Sequence, residues 1–315
     1  NKMDLIIVPS EHSKAGFAKV VYDKLQQMPN GQAPTKIGEL KLEKPIEVLF
    51  EGSDTNVYKP LHHKKIDTDF FEWLNDVVPE KFAFLSVGQW TKGDFGEDRK
   101  DIGRMVKVFY QTFANKKKQP ALVLKTNGAA PSILDREDCL KKLRAIKKGF
   151  EGQKIPNVYL LHGSLSDEEM NMLYNHPKVK AMVSFTHGEG FGRPLLEATM
   201  AGLPVIASNW SGQVDFLDGE LSLLLGGELN PIPESVVWEN ILIKDSKWFT
   251  VDEKNAFLAL NYLFNNHNDT LNKAKVLMQR NQEKFSLEMM TKKFEDIMKK
   301  YTSDIAVPKK VEIKL

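Results

Sequence analysis

Residues 181–198 read Ala181-Met182-Val183-Ser184-Phe185-Thr186-His187-Gly188-Glu189-Gly190-Phe191-Gly192-Arg193-Pro194-Leu195-Leu196-Glu197-Ala198. Ala181 to Phe185 is an apolar run of strand length. A glycine-rich turn follows, and Pro194 opens a helix whose inward positions include Leu195, Leu196, Thr199 and Met200. The turn therefore joins a strand end to a helix start. The first amides of a helix lack internal partners, and the helix dipole adds about half a positive charge there. Such a place attracts anions, and Gly188, Gly190 and Gly192 remove side chains that would hold a phosphate away from the backbone.

Two carboxylates frame the turn. Glu189 precedes the helix and Glu197 lies about one turn inside it. A carboxylate beside a phosphate site repels its ligand unless it accepts hydrogen bonds from hydroxyls, and sugars supply hydroxyls. Spacing alone leaves a packing turn with two solvated glutamates as an equal alternative.

The longer string separates the two readings. Seven residues separate Glu189 from Glu197, the first opens Glu-Gly-Phe-Gly-x-Pro, the second is followed by Ala198, and Met200-Ala201-Gly202-Leu203-Pro204-Val205-Ile206-Ala207 continues it. This string resembles the signature of the retaining glycosyltransferases of the two-Rossmann-domain (GT-B) type, most closely the large family 4, which uses nucleotide sugars. The resemblance implies that Glu197 holds the ribose hydroxyls and that Glu189 faces the transferred sugar. It places the amides of Gly190, Phe191 and Gly192 on the diphosphate and sugar. It implies a nucleotide diphosphate sugar as donor substrate, no cofactor and no metal.

Composition is that of a globular protein. Lys plus Arg exceed Asp plus Glu by only 44 to 42, which gives no reason to expect a nucleic-acid partner. Cys139 is the one cysteine, so an internal disulfide is excluded and a reducing, cytoplasmic setting is expected. No apolar run approaches the roughly 20 residues that span a bilayer, and no signal peptide is recognisable at the start.

Around the signature the pattern alternates regularly. Strands are expected at Phe82 to Val87, Ala121 to Leu124, Val158 to Leu161, Ala181 to Phe185, Val205 to Ala207 and Leu221 to Leu225. Between them come a helix with Ile102, Met105, Phe109 and Phe113 on one face, a Lys-rich helix around Leu140 and Leu143, and a helix opened by the capping box Ser166-Asp167-Glu168-Glu169. Such alternation predicts an α/β fold with a doubly wound parallel sheet, a Rossmann-like donor domain. Ligands of such sheets bind beyond the carboxyl ends of the strands.

Gln89, Arg99 and Lys100 follow the first of these strands. The family places an Arg and a Lys there, both on the diphosphate; Lys100 matches the Lys, while Gln89 stands at the Arg position and Arg99 is the expected compensation. Lys100 and Glu189 are the expected catalytic groups. Arg99, Gly190, Phe191, Gly192, Glu197, His187 and Gln89 are the expected donor contacts, with a loop-capping role for His187 weighed equally. His162-Gly163-Ser164 is the expected base loop. Asp67-Thr68-Asp69 reads as a helix cap rather than a metal site, and His62-His63 lacks the remaining ligands of a zinc site.

Residues Leu5 to Val8 read as a strand, Ser13 to Leu25 as a helix with Phe17, Val20, Val21 and Leu25 on one side, and Ile46 to Phe50 as a strand. This stretch is similar to the closing portion of the family's N-terminal domain. The expected layout is 1–60 for a partial second α/β domain, 61–285 for the donor domain, 286–301 for a terminal helix crossing back, and 302–315 for a tail. Thr250 and Glu253 suggest a capping box, and 226–247 an irregular excursion. The helix from Ser286 carries Leu287, Met290, Phe294, Ile297 and Tyr301, a stripe expected to be partly exposed or packed on another subunit. The function expected is transfer of a sugar, with retention, to an acceptor that is a glycan, lipid or protein. The alternative is a non-catalytic nucleotide-sugar binding or assembly module.

Overall fold

The computed structural model describes residues 3–61, 69–91, 95–128, 130–239 and 241–302. His62-His63, Asp67-Thr68 and the tail from residue 303 lie outside them. The chain opens with β1 (Ile6–Val8), α1 (Glu11–Lys19), β2 (Val21–Gln26), β3 (Thr35–Lys41) and β4 (Ile46–Val48). The run continues with α2 (Asp69–Val77), β5 (Ala83–Gln89), α3 (Ile102–Phe113), β6 (Ala121–Asn127), α4 (Ile133–Lys148), β7 (Val158–Leu161), α5 (Asp167–Asn175), β8 (Val179–Ser184), α6 (Arg193–Met200) and β9 (Val205–Ser208). After it come β10 (Leu223–Leu225), β11 (Gly227–Pro231), β12 (Lys247–Val251), α7 (Glu253–Asn265), α8 (His267–Lys284) and α9 (Leu287–Thr302).

Six strands form one parallel sheet in the order β10-β9-β8-β5-β6-β7. The order reverses between β5 and β8, so the loops leaving these two strands diverge from a common crevice. Both faces are covered, which is why the strands are nearly all apolar. On one side Leu85, Val123, Met182, Val205 and Ala207 join Leu195, Leu196, Phe191, Phe216, Leu277 and Phe285. Their neighbours Phe84, Leu122, Leu124, Ala181, Val183 and Ile206 join Met105, Phe109, Phe113, Leu143 and Leu260 on the other. The capping box at Ser166 forms as its residues dictate, with Ser166 and Glu169 each bonding the other's amide.

Three expectations need correction, and one helix was not foreseen. The first helix begins at Glu11, because the Ser10 hydroxyl accepts the Ser13 amide at 3.1 Å, and it stops at Lys19. The β-branched and aromatic Val20-Val21-Tyr22 then starts an exposed strand, and β2 and β3 pair antiparallel across Pro29-Asn30-Gly31. Segment 226–247 is partly regular: β11 pairs antiparallel with β12. Thr250 lies in that ladder, so Asp252 caps α7 instead and accepts the Asn255 amide at 2.7 Å. Helix α8 had no signal strong enough to separate it from its neighbours; its inner face is only Thr270, Ala274, Leu277 and Asn281.

The small β1–β4 pair, also parallel, joins the large sheet's layer through two backbone crossings. Ser53 donates its amide to Phe285 O and accepts from the Leu287 amide, both at 2.9 Å. Helix α9 then runs back to Glu47, which accepts from Lys300 at 2.6 Å and from Tyr301 at 2.8 Å. Met290 and Ile297 of its stripe are buried, while Leu287 and Phe294 are exposed, as expected for part of that face. Opposite the sheet, the Glu11 amide at the start of α1 bonds Asp215 at 2.9 Å, and His12 meets Trp210 edge-on. Among the described residues no helix is long and apolar enough to cross a membrane.

Candidate functional site

The crevice at the strand-order reversal brings Lys100 and Arg99 from the β5 side onto Glu189 from the β8 side. Lys100 Nζ donates to Glu189 Oε1 at 2.5 Å and Arg99 Nη1 to Oε2 at 3.0 Å. The Thr186 hydroxyl adds a bond to Oε1 at 2.7 Å. Lys100 and Glu189 are almost enclosed, at 13 % and 10 % side-chain exposure, whereas Arg99 is open to solvent. The stem of Lys100 lies flat against Gly88, where a Cβ would stand 3.2 Å from its Cε. A side chain at 88 would lift the ammonium off Glu189.

Burial opposes charge on both groups. For Glu189 the Lys100 and Arg99 cations outweigh it and hold the carboxyl below its ordinary range. For Lys100 burial pulls the pKa down and Glu189 counters. Because the folded state binds this carboxyl proton less readily than the unfolded chain, Glu189 contributes stability that is complete above its unfolded value of 4.5 and is lost as pH falls through the lower folded one. In denaturant titrations from about pH 6 to about pH 3, Glu189→Gln is therefore expected to flatten the acid limb of the stability curve. At neutral pH it should cost about 3–5 kcal/mol, since it strands a buried ammonium. An acid limb of wild-type slope in the variant would show that the pair does not carry this linkage.

The signature turn is held from behind by the segment after β9. Ser211, at φ 68°, accepts the Glu189 amide at 2.8 Å and donates to Gln213 at 3.0 Å, and Gln213 bonds Ser208. The Gly212 amide bonds Glu189 O at 3.1 Å. At Gly212 a Cβ would fall 2.3 Å from Gly190 O and 2.7 Å from the Phe191 Cα, a backbone approach that excludes any side chain. Gly192 ends the turn with φ 103° and α6 starts at Arg193. Among the described residues the amides of Gly190, Phe191 and Gly192 donate to no acceptor.

Glu197 lies in the second turn of α6, buried. Its carboxylate accepts from Tyr174 Oη and Arg193 Nε, each at 3.2 Å. Burial raises its pKa, and Arg193 and Tyr174 oppose the rise. Arg193 itself is exposed over the carboxylate, a cover that a ligand's hydroxyls can displace.

Two of the expected donor residues have buried rings. The ring of Phe191, 2 % exposed, packs among Phe50, Phe216 and Phe285, which leaves only its amide toward the crevice. The ring of His187, also 2 % exposed, stacks on Trp248 and bonds Phe249 O at 2.6 Å, with burial lowering its pKa. His187 is thus a loop anchor, the role weighed beside donor contact. Gln89 ends β5, exposed, next to Asn127 of β6.

Sequence reasoning passed over several residues that shape the site. Asp101, buried at the head of α3, pairs with Arg104 at 2.7 Å and faces His187 Nε2 at 3.8 Å; burial pushes its carboxyl up to about 6 against the pull of Arg104. The His187 amide bonds Arg99 O at 2.9 Å, which ties the cationic loop to the signature. Asp135 of α4 clasps the Gly128 amide and His162, each at 2.7 Å, and so fixes the loops after β6 and β7. The Asp98-x-x-Asp101 spacing before a helix was the one available signal.

Comparison with known proteins bears on the fold. Residues 104–220 match the family model described as glycosyl transferases group 1. No curated protein matches the chain in sequence. Among solved structures, sucrose-phosphate synthase (tll1590) from Thermosynechococcus elongatus is similar with 17% identity and a TM-score of 0.63, over 96% of this chain and 59% of that one. Anabaena Alr3699/HepE in complex with UDP and glucose is similar with 16% identity and a TM-score of 0.60, over 94% of this chain and 63% of that one. The C-terminal domain of a glycosyl transferase group 1 family protein (LpcC) from Francisella tularensis is matched along 100% of its length by 75% of this chain, at 16% identity and a TM-score of 0.50. The chain thus spans about three fifths of the first two structures. Residues 104–220 thus match a group 1 glycosyl transferase model, and the chain shares its fold with part of these solved structures.

Proposed function

We propose that the crevice binds a nucleotide diphosphate sugar and that the chain transfers the sugar, with retention, to a glycan, lipid or protein acceptor. The carrying observation is the convergence of Lys100 and Arg99 on Glu189 at the strand-order reversal, beside three uncommitted amides at the head of α6. In this reading the amides of Gly190 to Gly192 and the two cations stabilise charge on a leaving diphosphate, as groups already in position. Glu197 exchanges Arg193 for the ribose hydroxyls, Glu189 orients the sugar, and Gln89 adds a neutral contact at the strand end. The donor is a substrate; the chemistry requires no cofactor and no metal. HepE, a structural neighbour, has a solved complex with UDP and glucose, and that complex supports a uridine nucleotide as the first donor to try.

The test is thermal unfolding with uridine, guanosine and adenosine diphosphates, on the wild type and on Glu197→Ala. A nucleotide at about 100 times its Kd adds about 2.7 kcal/mol to the folded state, a rise of several degrees. A rise with one base, absent in Glu197→Ala, is the expected result. Binding without any turnover of the sugar nucleotide would favour the alternative, a non-catalytic binding or assembly module. No rise with any base would sink the donor-site reading.

A further inference from the structure

The end of the sheet opposite the crevice carries an unbalanced charge. Two loops lead there into the amino ends of β6 and β7, and they are zipped together: the Asn115 amide bonds Lys154 O at 2.7 Å, the Lys154 amide bonds Asn115 Oδ1 at 3.0 Å, and Gln119 Nε2 reaches both Phe113 O and Lys154 O. Residues 114–119 and 147–154 hold six lysines and one carboxylate, Glu151, a net of five positive charges in a chain whose whole net charge is +2. The rest of the chain is therefore negative by three, two less five. Lys116 is held by Asn261 and the Phe113 ring. Lys117, Lys118, Lys147, Lys148 and Lys154 are exposed, and none of them forms an ion pair among the described residues. Glu80, at the foot of β7, is already taken by Asn157 at 2.6 Å and Tyr159 at 3.0 Å. Helix dipoles explain part of this. Lys147 and Lys148 close the last turn of α4, but the effect fades within that turn, and Lys117, Lys118 and Lys154 lie in loops beyond the helix ends. Exposed like charges repel one another, and an anionic partner relieves the repulsion.

What surrounds the lysines selects the partner. The two loops contain no arginine, and so lack the planar fork that grips a single phosphate or carboxylate through paired hydrogen bonds. No large apolar side chain of theirs is exposed. There is thus no aromatic platform on which nucleic-acid bases could stack, and no apolar anchor of the kind that centres a protein interface. What remains is a field of hydrated point charges on flexible stems, a form suited to an extended surface of diffuse negative charge. We propose that this end of the sheet docks the chain on an anionic bilayer surface, by electrostatics alone and without insertion. Clusters of roughly four to eight basic residues serve such recognition, and each lysine near the surface is worth roughly fivefold in partition. Strand β6 is seven residues long, so the crevice at its far end stands roughly 20 Å from the docked face and stays open to solvent. The inference stands on these loops alone and does not rest on the glycosyltransferase reading.

The test is flotation of the full chain with vesicles of phosphatidylcholine alone and with vesicles in which one third of the lipid is phosphatidylserine. Binding is expected only with phosphatidylserine present, and should vanish at about 1 M salt, where the screening length falls to about 3 Å. The paired reversals Lys117→Glu with Lys118→Glu, and Lys147→Glu with Lys148→Glu, should each weaken it at least about tenfold. Lys292→Glu with Lys299→Glu, at two exposed lysines of α9 without ion pairs, makes the same change in net charge and should weaken it less than about threefold. Far-UV circular dichroism confirms that each variant is folded. Equal losses in the patch and α9 variants, or equally strong binding to phosphatidylcholine alone, would overturn the proposal. Absence of vesicle binding would do so too. If poly-glutamate or a single-stranded oligonucleotide then bound with the same dependence on Lys117 and Lys118, the patch would belong to an acidic protein or a nucleic acid instead.

Discussion

Gly212→Ala is expected to lower stability by about 3–5 kcal/mol and to remove nucleotide binding with it. The added Cβ would meet Gly190 O at 2.3 Å and the Phe191 Cα at 2.7 Å, and backbone cannot swing aside as a flexible side chain can. Relief requires that the turn after β9 retreat from the signature. Retreat breaks the bonds that this turn makes to both polar groups of Glu189's backbone, at 2.8 and 3.1 Å, and takes the support from Phe191, whose ring fills the junction with Phe50, Phe216 and Phe285. Thermal unfolding and a UDP titration check both halves. A variant with the wild-type melting temperature and unchanged nucleotide affinity would show that the turn is free to move and that the signature does not depend on it.

Lys100→Ala is expected to cut sugar-nucleotide turnover by about 10²–10³-fold, with a much smaller change in donor affinity. A cation worth that much must act on charge that develops in the reaction, and Lys100 is the enclosed one: its ammonium is largely dried by its surroundings, whereas the Arg99 head stays in water and is screened. Folding should survive the change, because Glu189 keeps Arg99 and Thr186. Release of nucleoside diphosphate from the sugar nucleotide, with and without acceptor mixtures, gives the rate. A loss under about threefold would reduce Lys100 to a structural partner of Glu189. Lys100→Arg should rescue little, since the stem must lie in the shallow space over Gly88.

What could be read in the residues follows from how local each signal is. The alternation of apolar strands with amphipathic helices announced the parallel sheet, and the string from Glu189 to Ala207 announced its crevice. Those signals are written in consecutive residues. The β2–β3 hairpin was missed because Phe17, Val20, Val21 and Leu25 fall at helical spacing and mimic a buried helical face, although all four are exposed. His187 and the Phe191 amide were assigned to the donor from the turn they lie in, which says nothing of where their rings go. The partners that turn their rings away, Trp248, Phe249, Phe216 and Phe285, lie 25 to 94 residues further on. The clasp of Asp135 on His162, likewise, depends on strand order that no window of sequence contains.

The two crossings stitched at Ser53 and Ser286 also have a mechanical meaning. A body attached through one strand of chain swivels freely, whereas two strands lying side by side act as a door hinge: they fold about their common line and resist twisting, because twisting pulls apart the hydrogen bonds between them. The contact of α1 with the turn after β9 lies away from that line, where the Glu11 amide bonds Asp215, whose charge burial disfavours, and His12 meets Trp210 edge-on. A displacement of the β1–β4 pair from the sheet would therefore fold about that line and release the α1 contact, while the Glu189 cluster, built from the loops of the large sheet alone, would stay together.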